Sequence, residues 1–148
     1  MIPRLCLLAI VGLQVGCAES PQDVAFTQLG GTWVSDQTFQ SSRDQGAHAI
    51  RLTLNGTYCG LVTQVCVLGG SGQLGNRNLE VAVETFDPRD QYVLIRLRNG
   101  LDGRATITGS LDEDGVIRGQ IEGLIGVQCD CPGPEYEFIR ALISLSRE

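Results

Sequence analysis

From Gly31 onward, apolar and polar residues alternate one by one in short runs, and no stretch sustains a helical period. Alternation of this kind places every second side chain on one face of a strand. "AIRLTLNGTYCGLV", residues 49–62, is the clearest unit. Asn55-Gly56 is a strong two-residue hairpin signal, and a turn there sets Leu54 opposite Thr57, Leu52 opposite Cys59 and Ile50 opposite Leu61. "SLDEDGVIRGQIEG" turns on Glu113-Asp114-Gly115, which pairs Leu111 with Ile117, Gly109 with Gly119 and Ile107 with Ile121. "LIRLRNGLDGRATITG" turns in the same way on Leu101-Asp102-Gly103, pairing Leu97 with Ile107, Ile95 with Gly109 and Val93 with Leu111. In both units apolar meets apolar on one face, and Arg96, Arg98, Thr106, Thr108, Arg118, Gln120 and Glu122 take the other.

Further strands are predicted over 32–39, 79–86 and 136–146, with a weaker one near 65–68. Pro88 in "FDPRD" marks a turn after the 79–86 strand. "GGSGQLGNRN", Gly69 to Asn78, reads as a loop, and "GVQCDCPGPE" as a second irregular segment. The pattern is all-β, with eight or nine short strands in meander order. Such a meander must bury one face and dispose of its edges. A single antiparallel up-and-down β-barrel of about eight strands does both, and a two-sheet β-sandwich is the alternative.

The first thirty residues follow a different pattern. Arg4 and the amino terminus precede the nine-residue apolar run "LCLLAIVGL", followed by small residues. The run falls short of the roughly 20 apolar residues that span a bilayer and fits a signal peptide. It ends in "LQVGC", which resembles the lipobox of bacterial lipoproteins, with Gly16 as the small residue before Cys17 and Gln14 standing where that family usually has Leu. The resemblance implies cleavage before Cys17, acylation of that cysteine, and attachment to the outer membrane or cell envelope. Domain boundaries follow: a signal peptide over 1–16, a polar tether over 17–30 after lipidated Cys17, and a barrel domain over 31–148. Cleavage after Ser20, where "AES" supplies small residues, is the alternative, and would release a secreted or periplasmic protein.

Export changes the reading of the cysteines. Cys6 lies in the leader and Cys17 at the anchor, which leaves Cys59, Cys66, Cys129 and Cys131. An even count in an oxidising compartment reads as two disulfides. A ring closed within Cys129-Asp130-Cys131 would be tight and strained, so both are expected to bridge to Cys59 and Cys66, in either order. Neither pair has Cys-x-x-Cys spacing, which argues against zinc.

Gly31-Thr32-Trp33 resembles the opening of the first strand in the calycin group of lipocalin-like barrels. That resemblance implies a tryptophan closing one end of the barrel and an arginine near the last strand packed on it, for which Arg140 and Arg147 are the candidates. It also admits two roles: holding a small lipophilic ligand in the bore, or acting on an envelope protein as a structural, interaction or protease-inhibitor-like barrel. In the first role Leu52, Ile95, Ile107, Gly109, Gly119 and Ile121 would line the cavity, the glycines leaving room for a guest. The competing reading of the same glycines is that they let barrel strands coil sharply.

Charge and composition narrow the remaining classes. The formal net charge is -6 and all 11 basic residues are arginine, with no basic cluster, which argues against nucleic acid as a partner. His48 is the only histidine, and no Gly-x-Ser-x-Gly elbow is present. Asp112, Glu113 and Asp114 lack the alternating acidic series and closing Glu of an EF-hand and read as turn residues. Asp87 and Asp90 flank the Pro88 turn, and Asn55-Gly56-Thr57 is a glycosylation sequon inside a turn signal. These features imply no metal, no cofactor and no enzymatic role.

Overall fold

A computed structural model describes residues 21–40, 47–59, 66–75, 77–100, 102–127, 132–133 and 135–148. Eight antiparallel strands close into a barrel. In chain order the elements are α1 (Pro21–Leu29), β1 (Gly31–Ser35), β2 (Phe39–Gln40), β3 (Ala47–His48), β4 (Ile50–Cys59), β5 (Cys66–Leu74), β6 (Arg77–Asp87), β7 (Tyr92–Asn99), β8 (Gly103–Leu111), β9 (Ile117–Val127) and β10 (Glu135–Arg147). β4 to β10 pair as a meander, and β1 closes the ring between β4 and β10. β2 and β3 form a separate two-stranded ribbon between β1 and β4. The barrel is therefore up-and-down, with one inserted hairpin.

The alternation drives closure. Val93, Ile95 and Leu97 of β7, Ala105 and Ile107 of β8, and Ile117, Ile121 and Ile125 of β9 all turn inward and are buried. They join Ile50, Leu52 and Leu54 of β4 and Ile143 and Leu145 of β10 in one core cluster. Two bulges keep this inner set continuous where strict alternation would break it. One falls between Leu54 and Gly56, the other between Val83 and Thr85. The second brings Phe86 inward after Val81 and Val83.

The β8–β9 hairpin has the register read from sequence, with Leu111↔Ile117, Gly109↔Gly119 and Ile107↔Ile121. The β7–β8 hairpin differs by two residues. It pairs Ile95↔Ile107 and Leu97↔Ala105, because Gly100 rather than Gly103 takes the positive φ in the turn. An even slip leaves each side chain on its expected face.

Three expectations are corrected. Asn55-Gly56 is not a turn: β4 runs through it, Asn55 is the extra residue of the bulge, and neither residue has positive φ. The hairpin partner of β4 is instead the glycine-rich segment expected to be a loop, which forms β5 and pairs Leu54↔Gly70, Leu52↔Gly72 and Ile50↔Leu74. The glycines fit because the backbones approach closely there; a Cβ on Gly70 would collide with the carbonyl oxygen of Thr53. Lastly, the segment expected to be a tether over 17–30 is helical from Pro21 to Leu29, and Ala25 and Leu29 of that helix belong to the core.

Candidate functional site

Two regions stand out: the barrel end closed by α1, and the bore behind it. α1 leads straight into β1, so it sits at the end where β1 begins and β10 finishes. Its residues Ala25 and Leu29, one turn apart, share a face and are both buried in the core. Gly30 ends the helix, its N–H donating to the Phe26 carbonyl at 3.1 Å.

The last carbonyls of the helix find side-chain donors. Trp33, 1% exposed, donates its indole Nε1–H to the Leu29 carbonyl at 2.8 Å. Arg147 donates from its guanidinium to the Gln28 carbonyl. The same guanidinium lies over the Trp33 ring, 4.9 Å from its centroid. Helix C-terminal carbonyls carry partial negative charge, so a cation that also stacks on an indole serves both partners. The tryptophan thus closes this end of the barrel. Of the two arginines considered for it, Arg147 fills the role, while Arg140 pairs with Glu122 on the outer face.

Behind this closure the bore is packed with side chains. Leu52, Ile95, Ile107 and Ile121 all point into it, as their place in the pattern requires, and each is 0% exposed. A residue with no surface open to a water-sized sphere has no water-sized void beside it. Gly109 and Gly119 face each other across β8 and β9. A Cβ on Gly119 would collide with the Thr108 carbonyl oxygen, and one on Gly109 with that of Arg118. These glycines therefore serve close strand approach at a sharp coil, and the space they leave is occupied by backbone.

The opposite end carries polar devices. Asn99 bridges three strands: its Oδ1 accepts from Gly126 N at 3.0 Å, and its Nδ2 donates to the Asn78 carbonyl at 2.8 Å. Arg77 and Glu137, both buried, also lie toward this end. Asp112 organises the β8–β9 turn at the helix end. Its Oδ1 accepts from Asp114 N at 3.0 Å and Val116 N at 2.9 Å, and its Oδ2 from Arg118 Nε at 2.7 Å. The backbone donor at Val116 and the guanidinium of Arg118 hold this carboxyl below its ordinary pKa.

The cysteines depart from the expected scheme. Cys59 and Cys66 are bonded to each other across the β4–β5 hairpin, where they are register partners. That bond leaves neither sulfur available to Cys129 or Cys131. The β4–β5 hairpin closes at the helix end of the barrel, whereas β9 leaves at Val127 and β10 returns at Glu135 at the other end. Cys129, Cys131 and the anchor candidate Cys17 lie outside the described residues. His48 is placed by its backbone in the β2–β3 ribbon, paired with Phe39.

Among the described residues no group of three His, Cys, Asp or Glu side chains could hold a metal ion, and no helix is long and apolar enough to cross a membrane. Sequence reading missed two features of the site. For α1 a signal was present: Ser20-Pro21 with Asp23 is a helix start, and Gly30 a helix stop. For Asn99 there was none, since its partners are 21 and 27 residues away. Comparison with protein-family models, with curated protein sequences and with solved structures found no match.

Proposed function

We propose that this chain is an exported, non-enzymatic barrel, held at the cell envelope by lipid on Cys17, that acts on a protein partner through its outer surface. The observation carrying this reading is the filled bore. With Leu52, Ile95, Ile107 and Ile121 fully enclosed and α1 closing one end, the interior serves stability, and recognition falls to the outside. The lipobox-like "LQVGC" supports the anchor, and its place just before α1 suits a domain tied closely to a membrane surface.

Two measurements test the reading. Native mass spectrometry of the full chain after incubation with a long-chain fatty acid should show no one-to-one adduct. A stoichiometric adduct would instead favour the bore as a site for a lipophilic ligand. The intact mass of protein extracted from membranes should correspond to a chain starting at Cys17 with added acyl mass. A chain starting after Ser20, or one without acyl mass, would overturn the anchor.

A further inference from the structure

Among the described residues, the longest strand is only partly covered. β10 runs from Glu135 to Arg147, yet β1 pairs with it only from Ser35↔Leu145 to Trp33↔Arg147. Just past the last pair, Asp36 N donates to the Ser144 carbonyl at 3.0 Å, and Ser144 N donates to Gln37 Oε1 at 3.1 Å. Ser144 therefore turns its backbone groups toward β1. Alternate residues of a strand bond to alternate sides, so Phe138, Arg140 and Leu142 also turn theirs away from β9. No strand among the described residues pairs with them there.

The side chains of these residues stand on the outer face. Phe138 is 58% exposed and Leu142 78%, and Leu124, across from Phe138 on β9, is 44% exposed. Between them Arg140 makes two hydrogen bonds to Glu122, at 3.0 and 3.1 Å. An outer groove of about 490 Å³, lined by Gln37, Gln120, Leu142 and Ser144, lies beside this edge. An edge that no described strand covers, flanked by large exposed apolar side chains, is a template for another strand.

We propose that β10 pairs edge to edge with β10 of a second copy, antiparallel about a two-fold axis at Arg140. The inference goes beyond the preceding reading and does not need the anchor. It commits to a second copy because the edge is its own complement. In this register Phe138 lies opposite Leu142 of the second copy, and Leu142 opposite its Phe138, so an apolar pair forms on each side of the axis. Arg140 meets its own copy at the centre, an unfavourable match for bare charges. Each guanidinium, however, is drawn back over β9 by its Glu122, and the central group of two arginines and two glutamates is neutral. The pairing turns the two α1 ends in opposite directions, with the strands lying along any surface that both copies touch.

Sedimentation equilibrium of the full chain in mild detergent tests this, with Arg140→Cys as a probe of register. The wild-type chain is expected to sediment at twice its own mass, and Leu142→Lys or Phe138→Lys to weaken association at least tenfold with Trp33 fluorescence and far-UV circular dichroism unchanged. Glu122→Gln, which strips the central counter-charge, should weaken association, and Arg140→Val should strengthen it. Arg140→Cys should give a disulfide-linked dimer on a non-reducing gel, and Gln120→Cys, one strand in from the edge, should not. A wild-type chain that stays single at every concentration would overturn the proposal and mark Arg140 as a charge that blocks pairing. A dimer indifferent to Leu142→Lys, or one that Arg140→Cys fails to link, would overturn it as well.

Discussion

Replacing Trp33 by Phe isolates what the closure at the helix end contributes. The substitution keeps an aromatic ring in the bore and removes the indole Nε1–H, whose 2.8 Å bond to the Leu29 carbonyl is buried. A buried acceptor left without its donor costs about 1–3 kcal/mol. The smaller ring leaves a partial void in a core where Trp33 is 1% exposed, which adds about 1 kcal/mol. The stack with Arg147 weakens too, by roughly 0.5 kcal/mol at an exposed site. Together these give about 2.5–4.5 kcal/mol, a large share of the roughly 5–15 kcal/mol that holds a domain of this kind. Urea unfolding followed by far-UV circular dichroism measures the loss, since Trp33 is the sole tryptophan and its own fluorescence disappears with it. Arg147→Met alone should cost less, about 0.5–1 kcal/mol, because its side chain is exposed. The double variant should fall short of the sum by a few tenths of a kcal/mol or more, since the two residues share one contact. If Trp33→Phe costs under about 0.5 kcal/mol, or if the two substitutions add without coupling, the closure is not held together as described.

Three further outcomes follow from other parts of the barrel. Gly119→Ala should destabilise by 2 kcal/mol or more, on the order of an overpacked core, because its Cβ meets the Thr108 carbonyl; an unchanged thermal midpoint would refute the close strand approach. Removal of the Cys59–Cys66 bond by a double Ser substitution should cost about 2–3 kcal/mol by loop-closure entropy for a short ring, and peptide mapping of the native chain should recover Cys59 linked to Cys66; a link from either to Cys129 or Cys131 would refute the pairing. Asp112 titrates below its ordinary value of 3.8, so the stability it contributes is present above that value and is lost as the pH falls through its lower, folded-state pKa. A carboxyl shift followed by nuclear magnetic resonance should therefore show a midpoint under 3.8, raised toward that value by Arg118→Gln; a midpoint at or above 3.8 would contradict the turn geometry.

How much of this was legible depends on which interactions were local. The β8–β9 hairpin could be read in full because Asp112 and Gly115 fix its turn within a few residues of the strands they join. In β7–β8 two glycines compete for the turn, and the choice of Gly100 over Gly103 slips the register by two, which hydrophobic alternation cannot detect. Asn55-Gly56 misled for the opposite reason. Its local turn preference is strong, but β4 must continue past it to cover the barrel, and the ring closure outweighs the dipeptide. The glycines of β5 look like loop residues because their reason for being small, the carbonyl of Thr53 and the side chain of Leu52, sits on another strand. Leu52, Ile95, Ile107 and Ile121 are buried on the side that the alternation indicates, and alternation says nothing of whether the space between them is empty. For the cysteines, the sequence offered an even count, while the partner of Cys59 follows from the β4–β5 register, which sets it opposite Cys66.

The seam of the ring has a consequence in time. The strands that meet there are the first and the last of the barrel, and the contact that seals them joins Trp33 to Arg147, the last residue of β10. Every other strand can pair with its neighbour as the chain emerges, amino end first, from a ribosome or a membrane pore. The ring cannot shut, nor can Arg147 reach α1 and the indole, until β10 is out. A chain cut within the last residues of β10 would keep most of its hairpins and lose its seal. Emergence of the whole of β10 is thus the event that commits this barrel to its fold.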